Sequence, residues 1–334
     1  MTMPTCQSQR KTGIRARMIG LGLLAGLSGI VASTQYAAAE DVTLQLGWLP
    51  QGQASALFYG VGQKCFTDKN ISLTIKRGYG AADTITKIVT GAAQFGQADL
   101  GAIITQTAKN DVPIKAVMPL FSDSALTIGV RGDSEIQSLK DLEGRSLAAG
   151  PGEGGLLLLP IAMKKAGGDA AKVEYKTMEP AALAGSLLQG QVDSIMSYVT
   201  TVAGINEAAQ KAGRSVRGIH FGKSLEIYGD VFFAANETVE KNPDLVNRFR
   251  EAVRCSYNGA KDNPEAAVRA MVETAPEMDA DRELRLAKIG WGLVFDSASP
   301  ALTWDEKRIE QTARFTAESQ GLPSVPASAS FVFN

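Results

Sequence analysis

Short apolar stretches alternate with longer amphipathic stretches along most of the chain. The short stretches are rich in β-branched residues and are bounded by Gly, as buried strands are, whereas the longer ones repeat apolar residues at helical spacing. Strands are predicted at Val42 to Trp48, Ile71 to Arg77, Ala93 to Asp99, Pro113 to Phe121, Ala125 to Arg131, Arg145 to Ala149, Val173 to Met178, Ser194 to Tyr198 and Gly229 to Ala235. Helices are predicted between them, among others at Ala81 to Thr90, Leu156 to Ala166, Pro180 to Leu188 and Thr200 to Ala212. The alternation predicts an α/β fold with mostly parallel sheets flanked by helices.

The pattern changes from Asn236 onward, where helices alone are predicted. Two of these helices begin with Asn-Pro, at Asn242 and at Asn263. Asn caps the first free N–H groups of a helix, and Pro suits its first turn. The first of the two carries an apolar stripe at helical spacing, formed by Leu245, Val246, Phe249, Val253 and Tyr257. We expect this stripe to face a core.

The first 39 residues have the pattern of an export signal. Four basic residues precede an apolar run from Met18 to Ala32, and Ala37 to Ala39 form a small-residue cleavage site before Glu40. The apolar run has 15 residues, fewer than the roughly 20 that span a bilayer. We therefore expect cleavage after Ala39 and a mature protein in the periplasm without a membrane span.

The mature chain is mildly acidic. Without the four basic signal residues it has 30 Lys and Arg against 35 Asp and Glu, and no basic run. Nucleic-acid binding needs clustered basic residues, so no nucleic-acid partner is expected. The remaining length, close to 300 residues, predicts two domains. Since no linker separates them, the chain is expected to cross between them more than once.

Cys65 and Cys255 are the cysteines of the mature chain. Each lies in a helical pattern among apolar neighbours, which favours free buried thiols. A disulfide is the open alternative, because the predicted compartment is oxidising but sequence gives no Cα separation. Two Cys and one His form no metal framework, so neither a metal nor another cofactor is expected.

Six segments carry a family resemblance: LQLGWLP at 44 to 50, GYGAADTITKIVTGAAQFGQADLGAII at 78 to 104, VPIKAVMPLF at 112 to 121, SLKDLEGRSLAAGPGEGG at 138 to 155, LLQGQVDSIMSY at 187 to 198 and KNPDLVNRFREAV at 241 to 253. Together they resemble the NMT1/THI5-like periplasmic solute-binding proteins, a group that includes sulfonate and nitrate binders. The resemblance implies a type II two-lobed fold and a monomer that delivers a solute to the permease and ATPase of an ABC importer.

The resemblance also implies how the chain is divided. Two crossover strands act as a hinge, at Ala125 to Gly132 and at Gly229 to Asn236. The first lobe then combines residues 40–127 with 233–334, and the second lobe is residues 128–232. The expected solute is small and planar or acidic: a pyrimidine or thiamin precursor, an aromatic acid or a sulfonate.

The loop after the first predicted strand supplies the first ligand candidates. Trp48 is placed to stack on a planar solute, with a buried structural Trp as the alternative. Gln51 and Gln53 can donate and accept hydrogen bonds, unless they are merely solvated loop amides. Asp99 follows the third predicted strand, where ligand contact and helix capping are both open.

Further candidates lie in turns. Ser122 and Ser124 lie before the first proposed crossover. Glu153 and Gly154 lie in GPGEGG, ahead of a helix whose N-terminus suits an anion. The negative charge of Glu153 opposes an anion, but its carboxylate could accept a hydrogen bond from an amine or aminopyrimidine.

The remaining candidates are Ser197, Tyr198, Tyr228 and Asp230, with core or hinge roles as their alternative. Catalysis finds little support in the sequence. The pyrimidine-making relatives carry a His within a W-x-P-N-x-N-H pattern, and Ala54 stands at that place here. We therefore expect no enzyme, with an exported enzyme or a ligand sensor on the same fold as alternatives.

Overall fold

The computed structural model describes residues 39–150, 153 and 155–334. Residues 1–38 of the predicted signal segment and Gly154 lie outside the described residues. The strands are β1 (Glu40–Gln45), β2 (Ile71–Lys76), β3 (Phe95–Asp99), β4 (Ile114–Pro119), β5 (Leu126–Arg131), β6 (Ser146–Ala149), β7 (Glu174–Thr177), β8 (Ser194–Tyr198), β9 (Val216–His220) and β10 (Asp230–Ala235). The helices are α1 (Ser55–Gly62), α2 (Ala81–Val89), α3 (Leu100–Asn110), α4 (Gly155–Lys165), α5 (Pro180–Leu188), α6 (Val199–Gln210), α7 (Gly222–Leu225), α8 (Asn236–Lys241), α9 (Pro243–Asp262), α10 (Pro264–Val272), α11 (Ala280–Phe295), α12 (Glu306–Gln320) and α13 (Ser328–Phe331).

The described strands form two five-stranded sheets flanked by helices. The first sheet has the order β2-β1-β3-β10-β4, and the second has the order β7-β6-β8-β5-β9. In each sheet one strand runs against its neighbours, β10 in the first and β5 in the second. The remaining pairs are parallel. This architecture confirms the predicted two-lobed α/β fold class.

Each of the predicted strands overlaps a strand of the structure, and β9 was missed. β9 is an edge strand with Val216 as its one buried residue, so its sequence lacks the apolar character that marks most of the other strands. The Asn-Pro helix starts are confirmed in α9 and α10, and Asn242 Oδ1 accepts a hydrogen bond from Leu245 N. The predicted apolar stripe of α9 is buried. Within it, Phe249 stacks on Phe95 with ring centroids 3.8 Å apart.

The chain passes between the sheets in two short segments, 120–125 and 226–229, that join β4 to β5 and α7 to β10. The predicted crossover strands themselves each belong to one sheet. The predicted boundary after residue 232 therefore falls inside β10, which pairs with β3 and β4 from Asp230 on. That the two halves move as separate lobes stays a prediction.

The two crossing segments lie against each other. Gly229 N donates to Phe121 O at 3.0 Å, and Ser124 N donates to Ile227 O at 3.1 Å. A Cβ on Gly222 would lie 2.1 Å from Ser124 O, so the approach of the backbones leaves no room for a side chain there. The two sheets are thus joined by a double connection with fixed backbone pairing.

A buried ion pair ties this connection to α12. Arg308 Nη1 donates to Asp123 Oδ1 at 2.7 Å and to Ser122 O at 2.5 Å, while its Nε donates to Ser299 Oγ at 2.9 Å. The side chains of Asp123 and Arg308 are 7% and 8% exposed. The charges are therefore shielded from water and depend on each other.

The prediction of free thiols is wrong, because Cys65 and Cys255 form a disulfide. Cys65 follows α1 and Cys255 lies in α9, and these two helices pack closely in the largest apolar core. Their Cα atoms are 5.8 Å apart, within the usual range for a disulfide. The pairing depends on helix packing between residues 190 positions apart in sequence, which is why sequence alone did not give it.

Candidate functional site

The loop after β1 presents an exposed aromatic ring. The side chain of Trp48 is 60% exposed, so the alternative of a buried structural Trp does not hold. Its backbone is nevertheless fixed, since Gly78 N donates to Trp48 O at 2.9 Å. A Cβ on Gly78 would lie 2.0 Å from Leu46 O, so this approach requires glycine. The ring is free to cover a solute while the loop beneath it stays in place.

Helix α11 positions the next part of the same loop. Gly52 packs so closely that a Cβ would lie 2.0 Å from Glu283 O, and Gly52 N donates to Glu283 Oε2 at 2.6 Å. Gln53 O accepts a hydrogen bond from Trp291 Nε1 at 3.1 Å. Burial raises the pKa of Glu283. The loop backbone is thus held by α11, and the Gln51 and Gln53 side chains lie on a rigid support.

Gln51 borders a cavity of about 290 Å³. Helices α5 and α6 line one side of this cavity, and Gln51 and Arg282 of α11 line the other. Its lining comprises Gln51, Ala184, Leu188, Thr200, Thr201, Gly204, Ile205, Ala208 and Arg282. Gln53 Nε2 donates to Gln51 Oε1 at 3.4 Å, and Gln53 Oε1 is buried without a hydrogen-bond partner in the described part of the chain. The two amides therefore contact each other, and one of their oxygens is buried, which differs from simple solvated loop amides.

Two carboxylates face each other at the end of the first sheet. Asp99 closes β3 and Asp230 opens β10, and the antiparallel register places them opposite one another. Gln97 Nε2 donates to Asp230 Oδ2 at 2.8 Å. Asp99 Oδ1 accepts from Gly101 N at 2.8 Å, so Asp99 caps α3 as the alternative reading expected. The Asp99 side chain is also exposed to solvent.

Asp99 is exposed to solvent, and many protein groups lie around its carboxylate. These surroundings, and then the negative charge of Asp230, raise the pKa of Asp99 to about 7. Burial also raises the pKa of Asp230. The pair is therefore an acidic centre that takes up a proton near neutral pH.

The second sheet contributes a matching polar pair. Tyr198, at the end of β8, donates its hydroxyl to Glu153 Oε1 at 2.9 Å, and this oxygen also accepts from Gly155 N at 3.3 Å. Burial and Glu153 raise the pKa of Tyr198, and the charges of Asp99 and Asp230 raise it further. The polar pairs of the two sheets are thus electrostatic neighbours. The Trp48 loop lies against the same end of the first sheet, because a Cβ on Gly47 would lie 2.8 Å from Gln97 O. We call the region formed by Trp48, Asp99, Asp230, Glu153 and Tyr198 the cleft.

Other sequence candidates lie away from the open part of the cleft. Tyr228 is fully buried, its hydroxyl accepts from Asp305 N at 2.7 Å and donates to Thr303 O at 3.3 Å, and its ring meets Trp304 edge-on. Its role is in the core rather than in solute contact. Ser124 and Ser197 are buried in the crossing segment and in β8. Ser122 is also buried, but its hydroxyl has no hydrogen-bond partner among the described residues.

The sequence interpretation missed an ion pair that connects the two halves. Arg285 Nε of α11 lies 2.5 Å from Glu207 Oε1 of α6. Arg285 lowers the pKa of Glu207, and the neighbouring Arg282 lowers it as well. In the sequence these residues are ordinary charged positions on helix surfaces, so no local signal distinguishes them.

We expect Asp99→Asn to stabilise the protein above neutral pH. The raised pKa means that the folded state holds a proton between about pH 4 and pH 7 that the unfolded state releases, so ionised Asp99 destabilises the fold as the pH rises through this window. Asn keeps the helix cap without the charge. Because Asp99 keeps solvent access, we expect a gain of about 2 to 4 °C in melting temperature, growing from pH 4 to pH 7 and constant above.

Asp279→Asn is the matched control for that measurement. Asp279 also caps a helix, but hydrogen bonding from Arg282 N lowers its pKa. Its replacement should therefore lower the melting temperature at neutral pH, with a loss that fades at low pH. If the melting temperatures of the two variants changed with pH in the same way, ionisation of Asp99 would not destabilise the fold.

Comparison with known proteins shows where this fold and cleft belong. The family described as NMT1/THI5 like matches residues 53–267, more than half of the chain. The chain belongs to the NMT1/THI5-like family. The family match includes Gln53, Asp99, the second sheet and Asp230, and begins just after Trp48.

Curated relatives of this NMT1/THI5-like protein match a smaller part. A binding protein of Brucella abortus (strain 2308) is 25% identical over 179 residues, 53% of this chain and 54% of the relative. A Brucella melitensis binding protein matches with the same identity and coverage. The chain thus spans about half the length of the curated relatives it matches.

Solved structures show the fold over most of the chain. The periplasmic aliphatic sulphonate binding protein SsuA of Escherichia coli has a TM-score of 0.69 at 16% identity, covering 88% of this chain and 92% of SsuA. SsuA of Xanthomonas axonopodis pv. citri, bound to MOPS, has a TM-score of 0.65 at 16% identity, covering 89% and 99%. The NMT1/THI5-like chain therefore has the fold of periplasmic solute-binding proteins of ABC import systems.

The described residues of this NMT1/THI5-like protein contain no group of three or more His, Cys, Asp or Glu side chains suited to hold a metal ion. Within the same residues, every helix is too short or too polar to cross a membrane.

Proposed function

We propose that the protein is the solute-binding component of an ABC importer and that the cleft closes on one small solute. The observation that carries this proposal is the convergence of polar groups from both sheets, Asp99 and Asp230 from one side and Glu153 and Tyr198 from the other, beside an exposed Trp48. A solute held between them would lose its contact with water and find hydrogen-bond partners on both sides. The double connection at 120–125 and 226–229 is suited to hinge closure.

The wider setting belongs to the same proposal. Export through a signal cleaved after Ala39 would release a monomer into the periplasm, where the loaded protein docks on a membrane permease with its ATPase. Genes for a permease and an ATPase beside this one would support import over a sensor role. Solute-stimulated ATP hydrolysis by the reconstituted transporter would test that partnership directly.

Small-angle scattering of the mature chain tests the proposed closure. Addition of an extract of the growth medium should decrease the radius of gyration and raise the melting temperature, because the solute bridges both halves of the cleft. A radius of gyration that did not change on addition of the extract would contradict the proposal.

An exported enzyme on this fold is the second candidate. The desulfurization enzyme DSZB has a TM-score of 0.58 at 15% identity, covering 87% of this chain and 96% of the enzyme. Binding proteins predominate among the similar structures, however. In addition, the His220 side chain is engaged in a structural contact, because its Nε2 lies 2.7 Å from Ser124 O in the crossing segment. Recovery of the bound compound unchanged after long incubation would support binding, whereas conversion of that compound would support the enzyme.

Trp48→Ala should weaken solute binding by about 2- to 12-fold, since stacking on an aromatic ring adds about 0.5 to 1.5 kcal/mol beyond burial. Half-saturating dilution of the medium extract, read by melting temperature, measures this change. Trp48→Phe is the control, because it keeps an aromatic ring. Equal affinity of the Ala variant and the wild type would show that the exposed ring takes no part in binding.

A further inference from the structure

The two helix N-termini at the cleft are already occupied by carboxylates of this chain. The first turn of a helix offers free N–H groups and a positive dipole end, which suits a sulfonate or another anion. At α3 the Gly101 N–H donates to Asp99, and at α4 the Gly155 N–H donates to Glu153. A solute anion would meet a fixed negative charge at both places.

Among the described residues, the three cleft carboxylates have no basic partner. Asp99, Asp230 and Glu153 are absent from the ion pairs formed by the described residues, and their polar contacts are with amide and hydroxyl groups. Asp99 and Asp230 are directly opposite each other in the sheet. Like charges held this close in a partly dehydrated cleft repel each other, and an arriving cation would relieve the repulsion.

One uncharged group points to the same kind of solute. Gln53 Oε1 can only accept hydrogen bonds, and it is buried with none within the described structure. A buried acceptor without a partner is destabilising, so this atom gains from a solute that brings N–H donors.

We propose that the solute is a small organic cation with N–H donors, an amine or an amidine, rather than a sulfonate or a carboxylate. This inference rests on the proposed function of the cleft as a solute site. The cation donates to Asp99, Asp230 and Glu153, and the exposed Trp48 ring covers its apolar or planar part, where the ring face also attracts positive charge. The two SsuA proteins are named for sulphonates, but a shared fold does not carry the ligand with it.

The test compares matched probes on one aromatic frame: benzamidine and benzylamine as cations, benzenesulfonate and benzoate as anions. Each is added to the mature chain at up to about 10 mM, an adequate range for weak probes. At about pH 8, where Asp99 is ionised, the cations should raise the melting temperature in a saturable manner and the anions should not. Saturable binding of either anion, or binding of neither cation, overturns the inference.

Charge-neutral variants show whether the cleft is responsible. Asp230→Asn should weaken benzamidine binding at least about 10-fold, the loss expected for one charge-assisted hydrogen bond. Asp41→Asn, an exposed carboxylate on β1 outside the cleft, should leave benzamidine affinity unchanged. Equal loss in both variants would mean that net charge, and not the cleft, attracts the probe.

Fractionated growth medium separates this inference from the proposed function. The medium is divided at about pH 8 on cation and anion exchangers, and each fraction is tested by small-angle scattering. Contraction with the cation-exchanger fraction supports the inference. Contraction with the anion-exchanger fraction overturns it and leaves a solute-binding protein, whereas no contraction with any fraction overturns both proposals.

Discussion

Replacing Cys65 and Cys255 together by serine should lower the free energy of unfolding by about 5 kcal/mol. The disulfide closes a loop of 190 residues, and the chain-entropy model gives about this value for the freedom that such a loop regains in the unfolded state. The half-cystines lie where α1 packs on α9, in the largest apolar core, so the folded contacts around them should survive the change. Urea unfolding followed by circular dichroism measures the loss.

Reductant provides the control for the disulfide. It should lower the stability of the wild type towards that of the double serine variant and leave the variant unchanged. A variant within about 1 kcal/mol of the oxidised wild type would show that the unfolded chain gains little freedom, as occurs when it keeps residual structure.

Arg308→Ala should destabilise the protein by about 3 to 5 kcal/mol, the range for leaving one buried charge without its partner. The change strands the carboxylate of Asp123 inside the crossing segment and also removes the donors to Ser122 O and Ser299 Oγ. Chemical unfolding measures the loss. We also expect faster amide exchange across 120–125, because α12 no longer forms hydrogen bonds with this segment.

Two variants test the origin of the Arg308 effect. Lys241→Ala breaks an ion pair with Glu237 whose side chains are about three-quarters exposed, and it should leave the free energy of unfolding almost unchanged. Combining Asp123→Asn with Arg308→Met removes both buried charges and should recover a large part of the loss. If the double variant were no more stable than Arg308→Ala, lost packing rather than the unpaired charge would be the cause.

The fold could be predicted largely because its elements carry local signals. The strands are short apolar runs between glycines, and α9 combines an Asn-Pro start with an apolar stripe. β9 was missed because it buries one residue and so carries a weak hydrophobic pattern, although the still more exposed edge strand β7 was predicted. The family resemblance supplied the two-lobed arrangement, which no local pattern contains.

The candidate site divides according to where its residues lie on strands. Asp99 and Tyr198 close parallel strands and Asp230 opens an antiparallel one, so the rule that cleft residues lie at strand ends places all three near the cleft. Tyr228 satisfies nearly the same rule but turns into the core, because Asp305 and Thr303 engage its hydroxyl. The pair Arg285–Glu207 depends on the approach of two distant helices, which sequence does not show.

The disulfide has a further consequence for how this protein changes over evolution. Cys65 precedes and Cys255 follows the entire segment that builds the second sheet, and the ends of that segment meet where Gly229 N donates to Phe121 O. The segment of the second sheet thus lies between two parts of the chain that the disulfide joins to each other. We therefore expect that this continuous stretch, which carries Glu153 and Tyr198, can be replaced by the equivalent stretch of another family member while the disulfide and the first sheet stay intact.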